Sequence, residues 1–407
     1  MYLNFAWRYF RAKKSANAIN IIAWVTAGVI AFATACQILV LSVFNGFEGL
    51  VKSLYSSFYT DVKITSAQGK TFILTTAQIK SIKQDPQVLA LSMIAEEKAL
   101  LQNADLQSVI YLKGVDSNYQ DVSGVAEKIV QGKFNTGNAE EPGIVVGYGI
   151  QNAAGVSVDD HMQPSIVTLI LPKKGKVSVS DPMQSLSEGN AKATGVFTIQ
   201  QDFDNKYAIT NIHFVKQQMG FAADEYSACE IRIKANADPL VAQKSLKQLL
   251  GKAYTVQTKY EQNSGLYNTM KMEKWFIYAV LTLILLIAAF NMISALTMLV
   301  LEKQKDISIL QSMGAGKSMI LKIFLSEGLL LGAIGTLSGI ILALFVCWLQ
   351  VKFKLVKIQG GSFLVDYYPV KLQLADFILV ASTATIIAFL ASWFPARKAA
   401  AQPIELR

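Results

Sequence analysis

The sequence predicts an integral membrane α-helical bundle of four transmembrane helices that carries a large α+β domain outside the bilayer. Three observations predict it. Of 407 residues, 52% are hydrophobic and 16% charged, against about a quarter charged in an ordinary soluble domain. Four stretches contain no Asp, Glu, Lys or Arg: Ser15 to Phe47, Trp275 to Leu301, Gly328 to Val351 and Phe377 to Ala396. Each reaches the roughly 20 helical residues that cross a hydrocarbon core. Between the first and second lies a long segment of short, strand-like runs.

Taken in order, residues 1–18 read as an interfacial amphipathic helix. Leu3, Ala6, Trp7 and Phe10 share one face, with Asn4, Arg8 and Arg11 opposite, as in a helix lying apolar side down on a membrane. Arg8, Arg11, Lys13 and Lys14 precede the first span without an acid among them. The positive-inside rule therefore puts the N-terminus in the cytoplasm. The first transmembrane helix is expected at 19–46. Its apolar run exceeds the about 7–15 residues of a signal peptide core, so it reads as an uncleaved anchor. The external segment 47–272 follows. The second helix is expected at 273–301, a cytoplasmic loop at 302–319, the third helix at 320–350, an outer loop at 351–373, the fourth helix at 374–395 and a cytoplasmic tail at 396–407. Lys352, Lys354, Lys357 and Lys371 make the outer loop basic, against the usual bias. The flank of the first span and the short inner loop outweigh it in this assignment.

Within the external segment, "DVKIT", "VIYLKGV", "GIVVG", "IVTLILP", "GVFTIQ" and "CEIRIKA" are rich in the β-branched residues that strands favour. Helical patterns lie at Thr76 to Gln84 and Pro239 to Gly251, the latter with an Asp-Pro entry and a glycine exit. Two subdomains are expected: a discontinuous one, about 59–115 plus 224–262, and one inserted at 116–223. Lys173 to Ala193 reads as a polar surface loop.

The chemistry-bearing residue types are sparse. His161 and His213 are isolated, and Cys36, Cys229 and Cys347 fall in unrelated regions without a CxxC. No catalytic residues and no metal ligands are assigned. The net charge of +9 is assigned to orientation and lipid headgroups rather than nucleic acid. "GAGKS" at 314–318 resembles the end of a phosphate-binding loop. The full motif needs a glycine at 311, where the chain has Gln311, and a preceding strand, where it has a membrane span. No cofactor is expected on this chain.

The same stretch supports another reading. Asp306 to Met313 can form a short helix ended by Gly314. Ile307 and Leu310 share a face with Ile309 and Met313 beside them, and Glu302, Lys303, Lys305 and Asp306 surround them. An apolar knob with a polar rim fits a groove on a cytoplasmic partner. In the third span, Gly328, Gly332, Gly335 and Gly339 stand at two four-residue spacings, as on the partner-facing side of a membrane helix.

"EKQKDISILQSMGA" resembles the coupling helix of FtsX-like ABC transporter permeases. The four-span plan and the ending "WFPARKAAAQPIELR" carry the same resemblance. "WRYFRAKK", "VLSVFNGFE" and "GVFTIQQDFDNKYAITNI" are most similar to the LolC/LolE lipoprotein-releasing permeases. The resemblance covers almost the whole chain. It implies a MacB-like periplasmic core on an FtsX-like membrane domain in a bacterial inner membrane. It implies an ATPase-coupling role for Glu302, Lys303, Asp306, Ile307, Leu310, Met313 and Gly314. It implies partners as well: a dimer of cytoplasmic ATPase subunits that bind ATP and Mg, a second permease, a periplasmic lipoprotein carrier, and lipoprotein cargo drawn from the membrane lipid. Residues Pro172, Lys173, Asp181, Pro182 and Met183 occupy the position of a carrier-binding loop. Extraction exposes acyl chains at about 0.8 kcal/mol per methylene, so an apolar cavity between spans is expected. Val40, Val43, Phe44 and Phe47 on the first span and Met272, Phe276 and Val280 on the second are its candidates. The alternatives are a MacB-type efflux permease, which carries a fused ATPase domain, and an FtsX-like regulator of cell-wall hydrolases, whose outer domain is smaller.

Overall fold

A computed structural model describes residues 17–158, 164–175, 185–358 and 367–402, with side chains from Ile21 onward. The expected interfacial helix at 1–18, with Leu3, Ala6, Trp7 and Phe10, therefore lies outside the described residues, apart from backbone at its end. The chain forms two compact units, a sheet domain within Val51–Tyr267 and a helical unit.

Helix α1 covers Asn17–Phe58. At 1.5 Å per residue it is about 63 Å long, twice a hydrocarbon core. Strands β1 (Val62–Ser66), β3 (Val88–Asn103), β4 (Leu106–Val115), β5 (Ile129–Gly132), β6 (Gly143–Gly147), β7 (Ile166–Pro172), β8 (Leu186–Phe197), β9 (Tyr207–Asn211), β11 (Ala228–Ile233) and β12 (Tyr254–Thr258) form one ten-stranded sheet. Its order is β12-β1-β11-β3-β4-β9-β6-β8-β5, with β7 bridging β3 and β8. The pairs β4/β9 and β6/β8 are parallel. Short strands β2 (Phe72–Ile73) and β10 (Glu225–Tyr226) pair separately.

The structure departs from two expectations. The two predicted subdomains are not separate, because the sheet passes from one into the other through β3/β7 and β4/β9. A single apolar cluster joins Ile64, Leu101 and Ile231 to Ile144, Val167 and Val215. The polar segment Lys173 to Ala193 is also not all loop: β8 starts at Leu186 and pairs with β7 through Pro172↔Leu186. Strand β3, "VLALSMIAEEKALLQN", is absent from the strands expected. Its Ala, Glu, Lys and Leu content suits a helix. Pairing to β11, β4 and β7 along its length overrides that preference.

Two helices flanking the sheet show their local cause. Helix α2 (Thr76–Gln84) opens with a capping box between Thr75 and Gln78. Helix α3 (Pro239–Leu250) starts where the Asp238 side chain accepts from the Leu240 amide, and Gly251 ends it with φ of +76°.

The helical unit adds α4 (Ser264–Glu302), α5 (Gln304–Ser312), α6 (Lys317–Phe353) and α7 (Leu374–Ala400) to the first part of α1. Together with α1, helices α4, α6 and α7 are long and apolar enough to cross a membrane. Their contacts are made by small side chains. Ala23 and Ala33 of α1, Ala288 of α4 and Ala384, Ala388 and Ala391 of α7 pack with Leu285, Met292 and Leu331. Small residues let helices approach closely where lipid gives no hydrophobic drive.

The glycine stripe on α6 serves the chain itself rather than a partner, which corrects the expectation. A Cβ on Gly332 would lie 2.5 Å from the Ala388 Cβ, and one on Gly328 would overlap Ser392, both on α7. A Cβ on Gly335 would meet Ile30 at 2.8 Å, and one on Gly339 the Ala31 carbonyl at 2.5 Å, both on α1. The first pair seats α7 and the second seats α1.

Candidate functional site

Three places in the helical unit stand out; two carry residues singled out above, and one holds a cluster that was not. The first is α5, which follows α4 after the one-residue break at Lys303. Its Lys303 ammonium pairs with Asp306 at 3.3 Å. Gln311 donates from Nε2 to the Gln402 carbonyl at 3.3 Å, tying α5 to the end of α7. Gly314 then turns the chain with φ of +91°.

The apolar face divides differently from the expected knob. Ile307 is only 2% exposed and packs with Leu299, Val300, Ile320, Phe324 and Ala396. Leu310 is half-buried and lines a small cleft with Ile307, Ile323 and Glu327. These two seat α5 on its own bundle. Ile309, 59% exposed, and Met313, 81% exposed, are the side chains that α5 presents outward. Helical spacing showed that four apolar residues cluster; only the positions of α6 and α7 decide which two are used up internally.

The second place is the opposite end of the spans. Asp376, at the start of α7, is buried and accepts from Lys274 of α4 at 2.9 Å and from the Asn45 amide of α1 at 2.5 Å. The same ammonium donates to Asn45 Oδ1 at 2.9 Å and to Gln373 at 3.4 Å. Three spans are thus clamped by one charged, hydrogen-bonded group, the form in which a charge survives at membrane depth. Beside it, the Lys371 amide donates to the Ser42 carbonyl at 3.0 Å. Gly46 lets the chain at Pro369 touch α1, since a Cβ there would lie 2.1 Å from the Pro369 carbonyl oxygen. No spacing in the sequence pointed to this clamp, because Asn45, Lys274 and Asp376 stand 229 and 102 residues apart.

The third place is the proposed cargo cavity. Val43 lines an apolar pocket of about 390 Å³ between α1, α6 and the chain that follows α6. Phe47 meets Tyr368 edge to face at 5.6 Å, and Phe44 is half-buried. Val40, Met272, Phe276 and Val280 are exposed. Met272, Phe276 and Val280 do not line the pocket that takes Val43.

In the sheet domain, Pro172 and Lys173 are exposed at the end of β7, where the Lys173 amide donates to the Ser185 carbonyl at 2.8 Å. Asp181, Pro182 and Met183 lie outside the described residues, as does His161; His213 is exposed. Two features there went unread in the sequence. Lys113, 1% exposed, pairs with Glu230 at 2.7 Å under the rings of Phe58 and Tyr119. Burial alone would lower its pKa, and the Glu230 carboxylate outweighs that and holds it well above the ordinary lysine value. A mixed-charge cavity of about 550 Å³ is lined by Tyr59, Asp61, Glu127, Arg232 and Lys259 among others.

Comparison with known proteins gives two family matches. The MacB-like periplasmic core domain covers residues 23–249 and the FtsX-like permease C-terminal region covers residues 278–404. The chain is 29% identical to the lipoprotein-releasing system transmembrane protein LolC of Neisseria meningitidis, over 98% of this chain and 96% of that one. It is 28% identical to LolE of Haemophilus influenzae, over 98% and 97%. Against LolC of Xylella fastidiosa it is 26% identical, over 98% and 96%.

Proposed function

This chain belongs to the FtsX-like permeases that carry a MacB-like periplasmic core domain, and we propose that within that family it is the transmembrane subunit that releases lipoproteins from a bacterial inner membrane. Similarity along the whole chain to relatives named for lipoprotein release supports this substrate class. The observation that carries the coupling role is the pair Ile309 and Met313, apolar and outward on a short helix between two spans. Such side chains are costly in water and favourable in a partner's groove.

In this reading both termini and α5 are cytoplasmic, and the sheet domain lies in the periplasm. Partner subunits bind ATP and Mg and press on α5. Ile307 and Leu310 pass that movement to α6 and α7, because a close-packed seat cannot absorb a shift locally. The spans, working with a second permease, lift acylated cargo, and the sheet domain passes it to a soluble carrier, with Pro172 and Lys173 at one edge of the contact loop.

The test replaces Ile309 and Met313 by Glu, jointly, in the full complex reconstituted in membranes. Taking an apolar anchor out of a partner's groove costs about 1–2 kcal/mol per side chain, so release should fall at least tenfold while the permease keeps its melting temperature. Undiminished ATP-driven release in this variant would sink the docking role of α5. Ile307→Glu is the wrong test: it buries a charge against Phe324 and unfolds the seat itself.

A further inference from the structure

The apolar pocket beside Val43 of α1 has a rim that the lipoprotein-release reading does not use. Its wall is formed by Leu39 and Val43 of α1, Val346 and Cys347 of α6, and Leu355 and Val356 beyond α6. At about 390 Å³ it falls within the roughly 300–1,000 Å³ of ordinary ligand pockets. The backbone that closes it is pinned. Gln350 donates from Nε2 to the Val356 carbonyl at 3.1 Å and to the Tyr368 carbonyl at 3.2 Å, and its Oε1 accepts from the Val356 amide at 3.0 Å. The pocket's shape is therefore set by three hydrogen bonds rather than by loose side chains.

Lysines stand beside the lining residues. Lys354 and Lys357 bracket Leu355 and Val356, Lys371 follows Val370, and Lys352 lies two residues past Gln350; all four are exposed. Lys352 sits over the Trp348 ring at 4.9 Å and Lys354 over the Tyr367 ring at 4.3 Å. The only acid between Val351 and Gln373 is Asp366. In a segment assigned to the outer side, four lysines run against the positive-inside rule. None of the four is itself a lining residue; as a cationic, aromatic collar in the chain that flanks a greasy slot, they supply the chemistry that holds a phosphate-bearing headgroup above an acyl chain.

We propose that this pocket binds an anionic diacyl phospholipid of the outer leaflet, its acyl chain between α1 and α6 and its phosphate on Lys352, Lys357 and Lys371. The basic collar selects this occupant over an acylated cargo chain, because a thioether-linked acyl anchor brings no phosphate to pair with it. The lipid then fills the seam between the span that leads into the sheet domain and the span that carries α5's seat. The leaflet rests on the orientation proposed above; the pocket and its collar do not.

The test is native mass spectrometry of the full chain in detergent, titrated with phosphatidylglycerol and with phosphatidylethanolamine. Wild type should retain one phosphatidylglycerol in preference to phosphatidylethanolamine. The variant Lys352→Gln/Lys357→Gln/Lys371→Gln should lose phosphatidylglycerol affinity by on the order of a hundredfold and phosphatidylethanolamine affinity far less, since the ethanolamine ammonium already offsets that lipid's phosphate. Lys354 is left in place because its φ of +49° makes its backbone sensitive to replacement. Val346→Trp should reduce both lipids by filling the slot. Equal retention of the two lipids, no effect of the lysine variant, or one-for-one displacement of phosphatidylglycerol by a triacylated peptide would each overturn the proposal. These readouts need no release activity, so a failed lipid site and a failed release function are told apart.

Discussion

Lys113 shows how a single side chain can hold the sheet domain together. It is a fully buried cation whose partner Glu230 sits on a different strand, and the rings of Phe58 and Tyr119 cover it. Lys113→Met leaves the buried Glu230 carboxylate with only the partly exposed Lys63 ammonium, 3.9 Å away, which should cost about 3 kcal/mol, the low end for breaking a buried pair. Removing both charges with Lys113→Met/Glu230→Gln should recover most of the loss in melting temperature. The pH dependence has a definite sign. A lysine pKa raised in the folded state contributes stability that is fully present below the unfolded value of about 10.4 and is lost as pH rises beyond it. Thermal unfolding should thus show no pH dependence from Lys113 between about pH 6 and 9 and a decline only above about pH 10.5. The sequence placed Lys113 in the expected strand "VIYLKGV" and carried no sign of its burial. Its burial depends on β4 lying inside a ten-stranded sheet, which no local pattern reports.

At the level of elements, α6 is the hub, and its glycines say so. Gly328 and Gly332 admit α7, while Gly335 and Gly339 admit α1. Gly335→Leu should therefore push α6 away from α1 without touching the α7 contact. A loss of about 2–3 kcal/mol is expected from overpacking, read as a lower melting temperature in detergent, with Leu337→Ala on the exposed side of α6 as the near-neutral control. The glycine spacing was plain in the sequence, but a spacing names a close contact and not the contact's other side. Strand β3 teaches the converse. Its residues suit a helix, and it is held as a strand because β11, β4 and β7 all pair with it. By contrast, α2 and α3 were legible because their caps are written in adjacent residues.

Across the whole helical unit, two ends do different work. At one, α5 is seated by Ile307 and tied by Gln311 to α7. At the other, Asp376 joins α1, α4 and α7 through Asn45 and Lys274. Asp376→Asn leaves the Lys274 ammonium without its counter-charge. A loss of about 3 kcal/mol is expected, at the low end for breaking a buried pair because Lys274 keeps some contact with solvent. Hydrogen exchange should then rise at the start of α7 and near Asn45, while the sheet domain keeps its protection. The four spans, the strand-rich insertion and the short helix after the second span were determined by the sequence alone, because absence of charge, β-branched runs and caps act over a few neighbouring residues. Which side of α5 faces outward, which helices the glycines admit, that one sheet replaces two subdomains, and that Asn45, Lys274 and Asp376 meet were decided only by tertiary structure, because each depends on residues far apart in the chain being packed against one another.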